Sequence, residues 1–575
     1  MTDKRGFGQR GQRVQGPQTN IVDSNGPVFS GNTIYNEAAK LRLPLQKPPR
    51  VQHFVGREDE LSSLLNDLQP GRVVTICGPG GMGKSALAAE AVWQLSPGNE
   101  PPERFPDGIV FHTFYHKPQA ALALEAIARA YGEDPRQNPL EAAKNALSAR
   151  LAMIILDGTE ACEDLGEVLS VTASCAVLIT TRRRSDAPAE LCDLLPLPMD
   201  KAISLLQAWA GDMASDGEIC RKICGLLGCL PLAIFLVGRY LAHRRQMADD
   251  YLSWLEKTPL KALDLGERQQ QSIPRLMEHS LEQVSEMARS CLGLAGVLAQ
   301  KPFPPEIMAA ALEISPEDAN NGLGELVEFG LLMRPKVNYQ ITHALAHTYA
   351  RSELAAASSA LSRLAEYFDD LIRKQTPRGP AGYALLDSVR DHILAVQAAC
   401  HKAELCENVR TLTWDIRDYL HLQGHWVEEV AVLQMGLAAA RSAEAHYDEA
   451  SFLTHLGLAC AALGDARQAI DYYEQALAIA QEIGDRGGEG NALGNLGNAY
   501  ADLGETRKAI EHYEQILKLH REIGDRRGEG ADLGNLGVAY KNLGETRKAI
   551  GYYEQRFAIA REIGDRRGEG NALGN

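Results

Sequence analysis

The chain has 575 residues, 45% apolar and 23% charged, which is the balance of a soluble protein too long for one core. A formal net charge of -16 leaves no general basic face for phosphate backbones, so nucleic acid is not the default partner. No stretch of eighteen apolar residues occurs, which excludes a helical membrane span, and the opening MTDKRGFGQRGQRVQG lacks the apolar core of a secretory signal.

Residues 1–50 are rich in Gly, Asn, Gln and Pro and lack hydrophobic periodicity, the composition of a flexible tail. From residue 51 to 195, short apolar runs alternate with helical patterns. The runs are RVVTICG, GIVFHTF, AMIILDG and AVLITT. Near-continuous apolarity in such an alternation predicts parallel strands buried on both faces, with crossover helices between them. Residues 196–264 read as helical. Residues 265–352 mix helices with a strand-like stretch, LLMRPKVNYQI. Residues 353–445 read as a helical linker or degenerate repeats, and 446–575 as repeats. The eleven cysteines are scattered, which suits a reduced, cytoplasmic protein. Cys220 and Cys224 would share a helix face, but no matching ligand cluster lies near, so a buried core position is favoured over a metal site.

GDRGGEG at Gly484 returns as GDRRGEG at Gly524 and Gly564, a period of forty residues. Each unit reads helix, Gly turn, helix. Such pairs cannot bury their apolar faces alone and stack into a solenoid. The units resemble tetratricopeptide repeats (TPR). Leu496, Gly497 and Tyr500 fit the first helix, and Ala509 and Tyr513 the second. Leu536, Gly537, Tyr540, Ala549 and Tyr553 repeat them. Arg556 departs, standing where the family has a small residue and the previous copy has Ile516. The array stops inside a helix, which leads us to expect a fragment of a longer array. The resemblance implies a protein or peptide ligand on the repeats.

The most specific motif is Gly78-Pro79-Gly80-Gly81-Met82-Gly83-Lys84-Ser85, set between the strand VVTIC and the helix pattern starting at Ala86. It matches G-x-x-x-x-G-K-[ST] in its required strand–loop–helix context. Glycines let backbone N–H groups converge on a phosphate, and the helix N-terminus favours the anion. Lys84 would neutralise β/γ oxygens, and the Ser85 hydroxyl would hold Mg2+. Asp157, ending the run LAMIILD, is the expected second Mg2+ residue. Gly158 follows where relatives often carry a second acid, and Glu160 is offset. Slow turnover is therefore expected.

Further segments resemble the NB-ARC type of STAND ATPase, over residues 51–352. Thr180-Thr181-Arg182 ends a strand as the sensor-1 segment does, which implies that Arg182 reads a γ-phosphate. Arg183 and Arg184 read as solvated. Phe54-Val55-Gly56-Arg57-Glu58 resembles the VGRE segment that lies against adenine. Gly228-Cys229-Leu230-Pro231-Leu232-Ala233 resembles GLPLA, with Cys229 as the departure and Pro231 as the implied nucleotide contact. Tyr339-Gln340-Ile341-Thr342-His343-Ala344 resembles the MHD segment, retaining only His343, which in relatives senses the ADP β-phosphate. The implied fold is a P-loop parallel sheet, a helical domain, a winged helix and an α-solenoid. The implied nucleotide is ATP or ADP with Mg2+. The implied nucleotide contacts are Val55, Gly56, Arg57, Gly78, Gly80, Gly81, Met82, Gly83, Lys84, Ser85, Ala86, Pro231 and His343. The implied function is a switch that forms a homo-oligomer on activation, with bacterial immunity as one setting. Transcriptional regulation and a plain TPR scaffold are alternatives.

Residues 19–36 alternate apolar residues with Asn, Ser and Gly. Two readings stand. One is a flexible tail. The other is an amyloid-like signalling motif that recruits a separate effector.

Overall fold

The computed structural model describes residues 43–574, without 116, 136–137, 187–189 and 258–264, so the 19–36 segment lies outside the described residues. Two compact units divide the chain. One holds Leu43–Ile479 with Asp502–Gly504; the described part of the other is Ala480–Ala501 and Glu505 onward.

In the first unit, the four expected runs form β1 (Val73–Cys77), β2 (Ile109–Thr113), β3 (Met153–Asp157) and β4 (Ala176–Thr181). The order is β2-β3-β4-β1-β5, with every pairing parallel. Every residue of β3 and β4 is buried, as central strands covered on both faces require. The edge strand β5 (Glu190–Asp193) is not visible in the sequence pattern, because ELCD is too short and polar to read as a strand. Register sets Cys77 beside Thr181 and Asp157 beside Thr180, so the chemistry-bearing residues share the carboxyl edge. Helices α1 (Glu58–Asp67), α2 (Lys84–Leu95), α3 (Ala120–Ala130), α4 (Pro139–Leu147) and α5 (Leu165–Ser170) cover the sheet.

Part of the expected tail departs from expectation. Residues 43–47 run along the open edge of β2: Ile109 N donates to Pro44 O (2.8 Å) and Gln46 N to Ile109 O (2.9 Å). An exposed strand edge offers unpaired backbone groups that outweigh the local composition.

Helices α6 (Met199–Ala210), α7 (Gly217–Leu226), α8 (Pro231–Arg244), α9 (Ala248–Lys257) and α10 (Leu265–Leu281) follow. Cys220 and Cys224 face the core of this bundle as free thiols, and burial pushes the Cys224 thiol up to about 12. Among the described residues no group of three or more His, Cys, Asp or Glu is placed to hold a metal. A winged helix comes next, with α11 (Glu286–Val297), α12 (Glu306–Leu312), α13 (Pro316–Glu328) and the hairpin β6 (Leu332–Met333) and β7 (Gln340–Ile341). The helix α14 (Ala344–Glu353) follows the hairpin.

The stretch read as a linker is built of long helices, α15 (Ser358–Gln375), α16 (Pro380–Lys402), α17 (Cys406–Gln423) and α18 (Trp426–Ser442). Buried charges dock them onto the sheet domain. Lys117, just past β2, pairs with Asp391 (2.6 Å) and Glu428 (3.1 Å), and Asp391 also takes Lys301 of the winged helix. Burial alone would raise the Asp391 carboxyl, yet Lys117 and Lys301 hold it well below the usual range. Arg129 of α3 donates to the carbonyls of Gln423 (3.0 Å) and Gly424 (2.8 Å). Such pairs specify one docking geometry more than they add net stability.

Helices α19 (His446–Ala462), α20 (Ala466–Ile483), α21 (Arg486–Asp502), α22 (Thr506–Ile523), α23 (Arg526–Asn542), α24 (Thr546–Glu562) and α25 (Arg566–Gly574) form the repeats. The recurring GDR explains itself in the second unit. Gly524 ends α22 in a left-handed conformation (φ +76°), and Asp525 accepts from the N–H groups of Arg527 (3.0 Å) and Gly528 (2.9 Å), capping α23. The following Arg and Glu make ion pairs within and between repeats, as Arg486 does with Glu489 (2.8 Å) and Glu522 (2.7 Å).

Glycines on the first helix of each repeat admit a ring from the second. A Cβ at Gly497 would enter the Tyr513 ring, and one at Gly537 the Tyr553 ring. The same space accounts for Arg556, whose side chain lies over Gly534 where Ile516 lies over Gly494. Ala normally stabilises a helix interior over Gly by about 0.5–1 kcal/mol. Gly497→Ala is expected to reverse that sign and lower the urea midpoint, whereas Gly551→Ala, with nothing within 4 Å of its added methyl, raises it. Urea unfolding of both variants, followed by helical circular dichroism, checks the pair.

Candidate functional site

The loop from Gly78 to Gly83 leaves β1 and turns into α2, whose first residue is Lys84. Gly83 caps that helix at φ +90°, a backbone that side chains rarely adopt, so only glycine turns the chain here without strain. The Lys84 side chain is buried and folds back, donating to Gly78 O (2.7 Å) and Pro79 O (2.9 Å). Burial pushes its amine down to about 8, with Glu160 the strongest nearby charge opposing that fall. An anion at the loop would restore the full positive charge.

Asp157 ends β3, buried, and its Oδ1 accepts from Ser85 Oγ (2.8 Å) and Thr180 Oγ1 (2.6 Å). Burial raises its carboxyl pKa, and the two hydroxyl bonds offset the rise only in part. A carboxylate short of positive charge beside a hydroxyl suits a hard divalent cation that takes its remaining ligands from phosphate and water. Ser85 and Asp157 are the residues present that fit Mg2+.

Gly158 follows at φ +76° with the Tyr115 ring pressed against it; a Cβ would lie 2.8 Å from ring carbons. A second acid therefore has no room at this position. Glu160, on the short turn Thr159–Ala161, lies above the site instead. Its Oε1 pairs with Arg182 Nε (2.9 Å), its Oε2 accepts from Arg182 N (3.1 Å), and Tyr115 Oη donates to Oε1 (3.4 Å). The Arg182 guanidinium stands over the phosphate loop, 3.7 Å from where a Gly80 Cβ would be. Arg183 and Arg184 are exposed, and Arg184 pairs with Asp193.

Other elements close around the loop. Leu232 N of α8 donates to Gly81 O (3.3 Å), and the Pro231 ring, at the first turn of α8, stands 4.0 Å from where a Gly83 Cβ would be. Arg57 is buried and braces carbonyls, donating to Leu195 O (2.5 Å) and Met82 O (3.4 Å) while pairing with Glu60 (2.7 Å). Gly56 packs against Lys201, whose Cβ would be 2.6 Å from an added methyl. Cys229 adopts a left-handed backbone (φ +51°), so the family's glycine position here carries a strained thiol residue. His343 caps α14: its Nδ1 accepts from Leu345 N (3.0 Å), which leaves the ring proton on Nε2. Val55, Met82, Ala86, Asp157, Pro231 and His343 all line one cavity of about 1350 Å³. Gly78 and Gly80 lie on the loop itself, and Lys84 opens the helix that follows it. Tyr115 carries no motif that a sequence reading could assign to a role here, and the motif that includes Thr180 pointed only to Arg182; the Thr180 bond to Asp157 comes from strand register.

Several known proteins are similar. The tetratricopeptide repeat model matches residues 448–522 and 488–562. The regulatory protein AfsR of Streptomyces coelicolor is 27% identical over 381 residues, 59% of this chain and 37% of its own length. AfsR of Streptomyces griseus is 27% identical over 335 residues, 54% of this chain and 33% of its own. The chain thus spans about a third of the length of these relatives. A STAND protein with a tetratricopeptide repeat sensor from Pyrococcus horikoshii aligns in structure with a TM-score of 0.46 and 18% identity, over 92% of this chain and 80% of that one. In its motifs and in the order of its parts, the chain resembles STAND-class ATPases of the NB-ARC type with C-terminal tetratricopeptide repeats.

Two expectations follow from local geometry. Burial, with Lys84 and Arg182 nearby, pushes the His343 imidazole down to about 4. A pKa depressed below the unfolded value of about 6.5 gives stability that is full above pH 6.5 and is lost as pH falls toward 4. His343→Asn keeps a capping acceptor but does not titrate, so its urea stability should fall less than the wild type's between pH 7 and 4.5. Cys229→Gly relieves the left-handed strain and should raise stability by up to about 1 kcal/mol, read as a higher thermal midpoint.

Proposed function

We propose that the chain is a cytoplasmic ATP/ADP-dependent signalling switch with slow hydrolysis. Residues 51–195 bind nucleotide, 196–264 form a helical lid, and 265–352 a winged-helix sensor. Residues 353–445 connect these to the repeats of 446–575, which take a protein or peptide ligand. The observation that carries this reading is convergence. Lys84 and Asp157 of the sheet domain, Pro231 of α8 and His343 of the winged helix all bound one phosphate loop.

The chain's own residues supply the discrimination. Lys84 leaves its loop carbonyls for phosphate oxygens. Arg182 reads a terminal phosphate, and the neutral His343 offers an Nε2 proton to a β-phosphate. Mg2+, when bound at Ser85 and Asp157, offsets phosphate charge. ADP and ATP thus favour different arrangements of the winged helix, a population shift by differential affinity. Moving such a switch from mostly off to mostly on takes about 5.5 kcal/mol, and a ligand on the repeats would add to what nucleotide provides. The active form would be a homo-oligomer, and residues 19–36 a segment for recruiting a separate effector, with bacterial immunity as one setting. A second reading, an NB-ARC–TPR transcriptional regulator, is favoured by the similarity to the regulatory protein AfsR.

Denaturing release and chromatography of nucleotide from fresh protein tests the switch. The expected outcome is close to one bound nucleotide per wild-type chain, lost in Lys84→Ala. Wild-type protein that is empty and fails to bind added ATP with Mg2+ would leave a repeat scaffold as the better reading.

A further inference from the structure

We propose that Glu160 is the general base for ATP hydrolysis and that its ion pair with Arg182 is an intrinsic brake released by the γ-phosphate. This rests on the nucleotide-switch reading above.

The usual place for a second acid, directly after Asp157, is closed. Gly158 has a left-handed backbone, and the Tyr115 ring occupies the space a side chain would need. Glu160 is the acidic side chain that the structure brings to the site in its stead. It is largely shielded from solvent (13% exposed), and among nearby charges it acts more strongly on Lys84 than Asp157 does. Its position is built. Tyr115 Oη and the Arg182 backbone N–H both donate to it, and the Arg182 guanidinium closes over it while standing above Gly80.

The pair as it stands satisfies both partners and serves neither catalytic task. Arg182 is neutralised by a carboxylate, and Glu160 is held by an arginine instead of a water. A γ-phosphate arriving over Gly80 is a second anion for the same guanidinium. Transfer of Arg182 to phosphate oxygen frees one lone pair of Glu160 Oε1, while Tyr115, on the same oxygen, and the Arg182 N–H, on Oε2, still hold the side chain in place. The freed carboxylate takes a proton from water as the water oxygen bonds to the γ-phosphorus. The bond from that phosphorus to the β–γ bridging oxygen breaks, and ADP leaves with the electron pair. Glu160 then returns its proton to the released phosphate or to solvent. ADP has no group to take Arg182, so the pair re-forms. A solvated surface ion pair would predict none of this, because removing its charge would leave both affinity and turnover unchanged.

The test is Glu160→Gln in the full chain, whose amide oxygen can still accept from the Arg182 N–H while the Tyr115 hydroxyl turns to accept from the amide nitrogen. Two measurements are made beside wild type: equilibrium binding of ATPγS with Mg2+ and of ADP, and single-turnover release of phosphate from ATP. The expected result is a fall in turnover of about a hundredfold or more. ATPγS should bind several-fold tighter, with ADP affinity unchanged, because Arg182 has lost its competing carboxylate. Wild-type turnover in Glu160→Gln, or equal weakening of both nucleotides, would overturn the assignment while leaving the switch intact. Wild-type protein that binds neither nucleotide would overturn the switch reading and this inference together.

Discussion

The site depends on one buried charge. Asp157 sits at the end of a strand with every residue enclosed, and burial opposes its ionisation. It is tolerable because two hydroxyls donate to the same oxygen, Ser85 from the helix after the phosphate loop and Thr180 from the neighbouring strand. Parallel register puts Thr180 opposite Asp157, and Ser85 is brought to it by the loop that leaves β1, the neighbour of β4, and enters α2. A one-residue slip would turn these groups to the other face of the sheet. The same crowding explains the absent second acid. Tyr115, arriving from the end of β2, fills the space beside Gly158, and the next available acid is carried on the following turn.

A second set of buried charges decides how the helices after the winged helix meet the sheet domain. Lys117, Lys301, Asp391 and Glu428 are interlocked, and Arg390 adds a contact to Glu428 at 2.8 Å. Removing one member of such a set leaves an uncompensated charge, typically costing about 3–5 kcal/mol, although the set as a whole adds little over an apolar contact. The arrangement therefore behaves as a discrete docking geometry. Its partners come from α16, α18, the β2–α3 loop and the α11–α12 loop of the winged helix, so it ties three parts of this unit together.

The repeats follow a simpler rule. Each helix pair carries its own stop glycine, capping aspartate and Arg–Glu pairs, and each relies on its neighbour for burial. Glycine in the helix interior is a packing requirement here, since a tyrosine ring occupies the place of the missing methyl. Arg556 belongs to the same account: a long side chain is accepted because Gly534 opposite it has none.

Much of this was legible from the amino-acid sequence. Continuous apolar runs gave four of the five strands, because full burial demands them. The forty-residue period gave the repeats, and Gly78–Ser85 between a strand and a helix gave the phosphate loop. These features depend on local pattern alone. Tertiary structure decided the rest. The β5 strand pairs although its residues are too few and polar to signal it, and residues 43–47 are ordered by an open strand edge that no local composition records. Tyr115 closes the second-acid position, Arg182 holds Glu160, Arg57 braces two carbonyls, and His343 caps a helix beside Lys84 and Arg182. Each of these joins groups far apart in the chain or sets a backbone conformation. Sequence period reports which face a residue takes, whereas the partner waiting on that face is chosen by strand register and packing.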